Sequence, residues 1–288
     1  MGDDAAHQAQ RMKRIDFHVH LNPLLYEFQH PWVTEWIRQT HPSGFDEFCE
    51  KYSDPGRFEE LLAEQGVDCA CVLAALNQLT AGLCTNERVR DFCRGRARLI
   101  PFCDVNPFVF TRPADELKRL VTEEGFRGLK LYPTYQQYFL NDSRMYPVYR
   151  TAQDLGIPVL IHTGSSVFRG TRLKYGDPLH LDDVAVDFPD LKIVMAHSGR
   201  PLWYDRALFL SRLHKNVYME ISGLPPSKLL VYFPELGRNA DKVIFGSDWP
   251  GMPHIKRNMD AVAALPLPPG AAEKILGGNA ARVLGLDS

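Results

Sequence analysis

Short apolar or alternating segments recur along the chain at 15–20, 67–73, 98–104, 126–132, 158–163, 192–197, 216–221 and 242–248, each of a length that suits a β-strand. Between them the apolar positions change to helical spacing. Phe58, Leu61 and Leu62 precede Gly66, Leu117, Leu120 and Val121 lie between Pro113 and Gly125, Val148, Tyr149, Ala152 and Leu155 are closed by Gly156, and 181–186 runs up to Pro189. Proline just inside the start and glycine just past the end are how helices are bounded. Strands alternating with helices predict right-handed βαβ crossovers and a mainly parallel sheet. Eight such strands predict an α/β fold, a (β/α)8 TIM barrel, in preference to two nucleotide-binding halves. No glycine-rich phosphate loop follows the first strand, which removes the main support for a dinucleotide fold.

No linker, repeat or low-complexity block divides the chain, so 1–288 reads as a single barrel domain with a polar tail at 1–13. Segment 21–55 is long for a strand-to-helix connection, is rich in aromatics and carries His30 and His41. It predicts a partly helical lid inserted over the barrel mouth. The 33 basic and 35 acidic residues leave a net charge of -2, no surplus with which to neutralise a nucleic acid or hold an anionic membrane surface. A small molecule is the expected partner. No apolar run approaches the roughly 18 residues of a membrane span, and the start lacks the apolar segment of a secretory signal, so a soluble, cytoplasmic protein is expected. Six cysteines without a CxxC pair, three of them (Cys69, Cys71, Cys103) inside apolar runs, read as reduced, buried thiols.

Polar residues interrupt the predicted strands at their C-terminal ends. The first reads Ile-Asp-Phe-His-Val-His, so His18 and His20 share one face. The fifth closes on His162, the sixth on His197 and the eighth on Asp248. In a barrel these ends converge on the face where active sites are built. A single histidine after an apolar strand is usually a hydrogen-bonded rim residue; the joint pattern carries the signal. Several imidazoles and one carboxylate suit a divalent ion, zinc ahead of manganese or iron. Asp248 can ligate such an ion and also accept a proton from a bound water, whose pKa a cation lowers to about 7. His7, His30, His41, His180 and His214 read as surface residues, and His254 as a loop residue near the eighth strand.

The segments IDFHVH, IPVLIHTG, KIVMAHSG and VIFGSDWP, with the closing run Ile275-Leu276-Gly277-Gly278-Asn279-Ala280-Ala281-Arg282-Val283-Leu284, resemble the amidohydrolase superfamily. The similarity is to its amidohydrolase 2 branch, which includes aminocarboxymuconate-semialdehyde decarboxylase-like enzymes. That resemblance implies that His18, His20, His162 and Asp248 hold one divalent metal, and that His197 activates water or polarises substrate. Lys130 occupies the strand-four region where binuclear members carry a carboxylated lysine bridging two ions. A binuclear site with carboxylated Lys130 is therefore the alternative, in which His162 and His197 ligate the second metal; the plain reading is a lysine spanning the barrel or pairing with Glu220.

For the substrate, Arg169, Arg172 and Lys174 crowd the loop after strand five and Arg200 follows His197. An arginine fork fits a carboxylate, so Arg169, Arg172 and Arg200 are candidates for binding an acid. Tyr132, Trp249, Trp203 and Tyr204 are candidates for aromatic walls. The preferred reading is a metal-dependent hydrolase acting on a small amide, ester or lactone that bears a carboxylate, with His197 and Asp248 catalytic. The alternative is non-oxidative decarboxylation of an aromatic or enoic acid. A third reading is a metal-binding barrel without turnover. A homo-oligomer is compatible with this architecture.

Overall fold

The computed structural model describes residues 12–41 and 43–286. His7 and most of the predicted polar tail lie outside the described residues. Eight parallel strands form one sheet: β1 Ile15–His20, β2 Cys69–Leu73, β3 Leu99–Cys103, β4 Gly128–Leu131, β5 Val159–His162, β6 Ile193–Ala196, β7 Val217–Glu220 and β8 Val243–Ile244, paired in chain order. The ends of the sheet meet. Phe17 N–H donates to the Phe245 carbonyl (3.1 Å), Asp248 N–H to His18 (2.9 Å) and His20 N–H to Trp249 (2.8 Å). The result is a TIM barrel, as the spacing predicts.

The helices begin and end where the sequence punctuates them. Helix α1 spans Pro31–Gln39, α2 Phe45–Lys51 and α3 Pro55–Glu64. The Asp54 side chain caps α3 by accepting from Arg57 N–H, Pro55 opens it, and Phe58 and Leu62 are buried against the barrel. Further round the ring come α4 Asn86–Cys93, α5 Pro113–Glu124, α6 Tyr146–Asp154, α7 Leu181–Asp187 and α8 Tyr204–Leu213, then α9 Ile255–Ala263 and α10 Asn279–Leu284. Except for α10, their apolar faces join the outward side chains of the strands in one large core. None of the described helices is long and apolar enough to cross a membrane.

A separate cluster fills the barrel interior: Ile15, Phe17, Cys71, Leu73, Phe102, Leu160 and Val194, closed below by Ala280, Val283 and Leu284 of α10. Phe102 lies flat over Gly128, where a Cβ would stand 2.3 Å from the ring, so this strand position admits only glycine. The interior is therefore plugged at one end and open at the other. Strand β1 carries a bulge: Asp16 pairs with Ala70 and Val19 with Val72, leaving one extra residue on β1. The bulge shifts the phase of the strand, so that Phe17 stays with the interior plug while His18 and His20 both reach the open mouth.

Segment 21–55 contains α1 and α2 and part of a small antiparallel sheet formed by Phe28–Gln29, Ala75–Asn77 and Gly82–Cys84. Val33, Trp36 and Ile37 of α1 line the mouth, and Trp36 packs against the backbone of Gly251. Residues of the insertion thus line the barrel mouth. All six cysteines are free, five buried and Cys69 half-buried. Of the histidines expected at the surface, His30, His41, His180 and His214 are half-buried instead. His30 bonds the Gln78 carbonyl (2.9 Å) and His214 the Asp182 carboxylate (2.7 Å), which explains their partial withdrawal from solvent.

Candidate metal centre and active site

At the open end of the barrel His18 and His20 present Nε2 atoms 3.2 Å apart. Asp248 Oδ1 lies 3.6 Å from the first and 3.5 Å from the second. Donors about 2.1 Å from a shared tetrahedral or octahedral ion stand about 3.0–3.4 Å apart, so this triangle has the size of one face of a metal site. Asp248 reaches it through a left-handed backbone (φ 69°), and His197 and Ser198 adopt the same region at the end of β6 (φ 61° and 47°). Non-glycine residues hold such conformations only where the surroundings fix them.

Glu220, at the end of β7, organises the opposite side of the cluster. Its Oε2 accepts from His18 Nδ1 (3.2 Å), the Ser222 hydroxyl (2.9 Å) and His197 N–H (3.3 Å), and its Oε1 accepts from Ser222 N–H (2.6 Å). Burial pushes this carboxyl up, while the Ser222 hydrogen bonds and the Lys130 charge push it back. Because Glu220 takes the His18 Nδ1 proton, His18 Nε2 is left as a lone pair facing His20 and Asp248. Two imidazole nitrogens and a carboxylate oxygen within 3.2–3.6 Å of one another are a donor set that fits a divalent metal. His18, His162 and His197 are pushed well below the ordinary imidazole range by burial first and then by neighbouring positive charge, and His20 is pushed down to about 3. All four are neutral, the form that binds metal.

His197 Nδ1 lies 3.0 Å from the Ser222 carbonyl, an acceptor only, so Nδ1 carries the proton and Nε2 is free. His162 stands beside it, ring centres 4.8 Å apart. Its Nε2 faces the Ser165 carbonyl at 3.3 Å, which keeps it out of the three-donor triangle. A second trio, His18, His197 and Glu220, also lies close enough to hold an ion, but Glu220 Oε2 there is already occupied by its donors.

The triangle opens into a cleft with about 880 Å³ of space, its mouth included, lined by Tyr26, Trp36, Tyr132, Tyr135, Phe168, Lys130 and Arg200 among others. Tyr132 and Arg200 thus stand where a substrate would contact them. The other expected contacts are elsewhere. Trp249 is fully buried among Phe48, Tyr52 and Phe58 and serves packing. Arg169 lies over Trp32 at the outer rim, and Arg172 is exposed and bonded to Gln137; neither lines the cleft. Ser222 and the role of Glu220 are not legible in the linear sequence, because the contact with His18 spans 202 residues.

Replacing Glu220 by alanine is expected to weaken metal binding by about 10–100-fold, with Glu220→Gln intermediate. Titration of the chelator-treated protein with manganese measures this, and wild-type affinity in the alanine variant would remove Glu220 from its positioning role.

A family model described as Amidohydrolase matches residues 15–286. Among solved structures the chain is similar to an uncharacterised TIM-barrel protein from Bordetella bronchiseptica, with TM-score 0.76 and 25% identity over 95% of this chain and 99% of that one. It is also similar to 2,6-dihydroxybenzoate decarboxylase from Rhizobium, with TM-score 0.70 and 17% identity over 96% and 100%. A third is a dihydroxybenzoic acid decarboxylase from Polaromonas sp. JS666 with bound manganese and the inhibitor 2-nitroresorcinol, with TM-score 0.67 and 18% identity over 96% and 98%.

Proposed function

This chain belongs to the amidohydrolase family, and from that premise we propose that it is a metal-dependent decarboxylase, releasing carbon dioxide from a small aromatic or enoic acid. The observation that carries this reading is a three-donor triangle at the floor of a cleft walled by Tyr26, Trp36, Tyr132 and Phe168, a shape and chemistry suited to a flat, acidic ligand. The decarboxylases among the similar solved structures favour it over hydrolysis.

His18, His20 and Asp248 would hold the ion, with His162 as a fourth donor once its Nε2 leaves the Ser165 carbonyl. Two imidazoles and a carboxylate accept manganese as well as zinc, and the manganese of the Polaromonas enzyme favours manganese. When bound, the ion supplies the positive charge that holds the substrate's carboxylate and adjacent oxygen. Arg200 steers the acid from the side of the cleft. Burial raises the Asp248 carboxyl above its ordinary range, against the pull of the Arg200 and Lys130 charges. As the carbon–carbon bond breaks, its electron pair stays on the substrate carbon, which takes a proton from Asp248 Oδ2, and the carboxylate departs as carbon dioxide. His197, held by Ser222, keeps Nε2 facing the reacting group, and α1 at the mouth excludes water.

The test is carbon dioxide release by manganese-loaded protein from a panel of hydroxybenzoates, beside hydrolysis of small esters and lactones. Release from at least one acid, abolished by chelation and restored by the metal, is expected. Ester or lactone hydrolysis without carbon dioxide would establish the hydrolase reading instead, and stoichiometric metal with neither activity would establish a binding barrel.

A further inference from the structure

Lys130 of β4 is fully buried and lines the cleft. Its Nζ has no hydrogen-bond partner, and among the described residues it makes no ion pair. What it touches is the Tyr132 ring, whose centre is 4.7 Å away. Its charge is felt by His18, His20 and His162 together, which places it inside the histidine cluster. Arg200, the other cation of the cleft, donates to the Gly223 carbonyl at 3.2 Å and likewise has no carboxylate partner among the described residues.

Glu220, Asp248 and Asp104 act on the Lys130 ammonium only through space. An ammonium taken out of water without a hydrogen bond or direct ion pair is costly to keep, and a divalent ion in the same cluster adds repulsion at low dielectric. One occupant relieves both: an anion reaching into the cleft. Two side-chain cations without partners call for two anionic groups.

We propose that Lys130 is a substrate anchor that takes an anionic oxygen at the floor of the cleft while Arg200 takes a second, so that the site selects dianionic acids over monoanionic ones. This deepens the decarboxylase reading and rests on it for the cleft being an acid site. Lys130 supplies specificity: an acid with one ionised group leaves either the ammonium or the guanidinium uncompensated.

The test is calorimetric titration of the metal-loaded protein at pH 7 with benzene-1,3-dicarboxylate and with benzoate. Wild-type protein is expected to bind the dicarboxylate about tenfold more tightly or better. Lys130→Met, close in volume and apolar, should lose about tenfold or more of the dicarboxylate affinity and less than about threefold of the benzoate affinity. Its metal content should match wild type. Equal dicarboxylate affinity in wild type and variant, or no wild-type preference, overturns the proposal. A fall in metal content in Lys130→Met overturns it too, assigning the lysine to the metal. If no acid releases carbon dioxide but the dicarboxylate preference and its loss are observed, the reaction is misassigned and the anchor stands. Carbon dioxide release that Lys130→Met leaves untouched for every acid has the opposite meaning.

Discussion

Asp248→Asn is expected to lower carbon dioxide release by at least about a thousandfold while the barrel stays folded. The substitution keeps the shape of the side chain and removes its charge and its proton. Oδ1 is the third corner of the triangle with the two Nε2 atoms, so metal affinity falls. Oδ2 no longer has a proton to hand to carbon, so turnover falls even at saturating manganese. Measuring kcat against manganese concentration separates the two losses. Far-ultraviolet circular dichroism and the melting temperature should stay close to wild type, because the backbone bonds Asp248 N–H to His18 and His20 N–H to Trp249 do not depend on the carboxylate. Activity within tenfold of wild type at saturating metal would remove Asp248 from proton transfer.

Gly164→Ala should be the most damaging single methyl group in the active-site loops. Gly164 holds φ +91°, and an added Cβ would stand 2.2 Å from the Arg200 carbonyl oxygen and 2.6 Å from its nitrogen. Both clashes are with backbone that is itself tied down, since Ser165 N–H donates to the Arg200 carbonyl at 2.6 Å and Gly164 N–H to Gly176 at 2.7 Å. Strain and overpacking together cost about 3 kcal/mol or more, a melting temperature lower by about 6 °C or more. The KM for the acid should rise with it, because Arg200 is the residue pushed aside. Gly156→Ala is the control: φ is +68°, but its Cβ would meet nothing within 4 Å, so only the backbone preference, about 1 kcal/mol, is lost. Equal shifts in the two variants would show that contact with Arg200 is unimportant.

How far the sequence could be read follows from which interactions are local. Strand β1 was legible to the residue because its alternation of apolar and polar side chains is local. The eighth segment was expected over 242–248, but only Val243–Ile244 pair as a strand. Phe245 N–H turns to the Ile275 carbonyl and Asp248 enters a left-handed conformation, and neither event leaves a mark in hydrophobicity. The small sheet built from 28–29, 75–77 and 82–84 was missed because three two- or three-residue strands offer no measurable period. In the site, His18, His20, His197 and Asp248 announced themselves by closing apolar runs. Glu220 was visible only as a possible partner for Lys130, and its hold on His18 required the closed ring. Trp249 shows the converse: its position beside Asp248 pointed to the cleft, yet the turn after β8 directs the indole into the core against Phe58.

The triangle of donors straddles the seam where the ring of strands closes, two imidazoles coming from the opening strand and the carboxylate from just beyond the final one. A nascent chain emerging from the ribosome exposes its HxH pair more than two hundred residues before the aspartate is made. Capture of an ion by all three would therefore wait until the last strand has been made, and an ion so placed would clasp the first strand of the ring to the turn after the last.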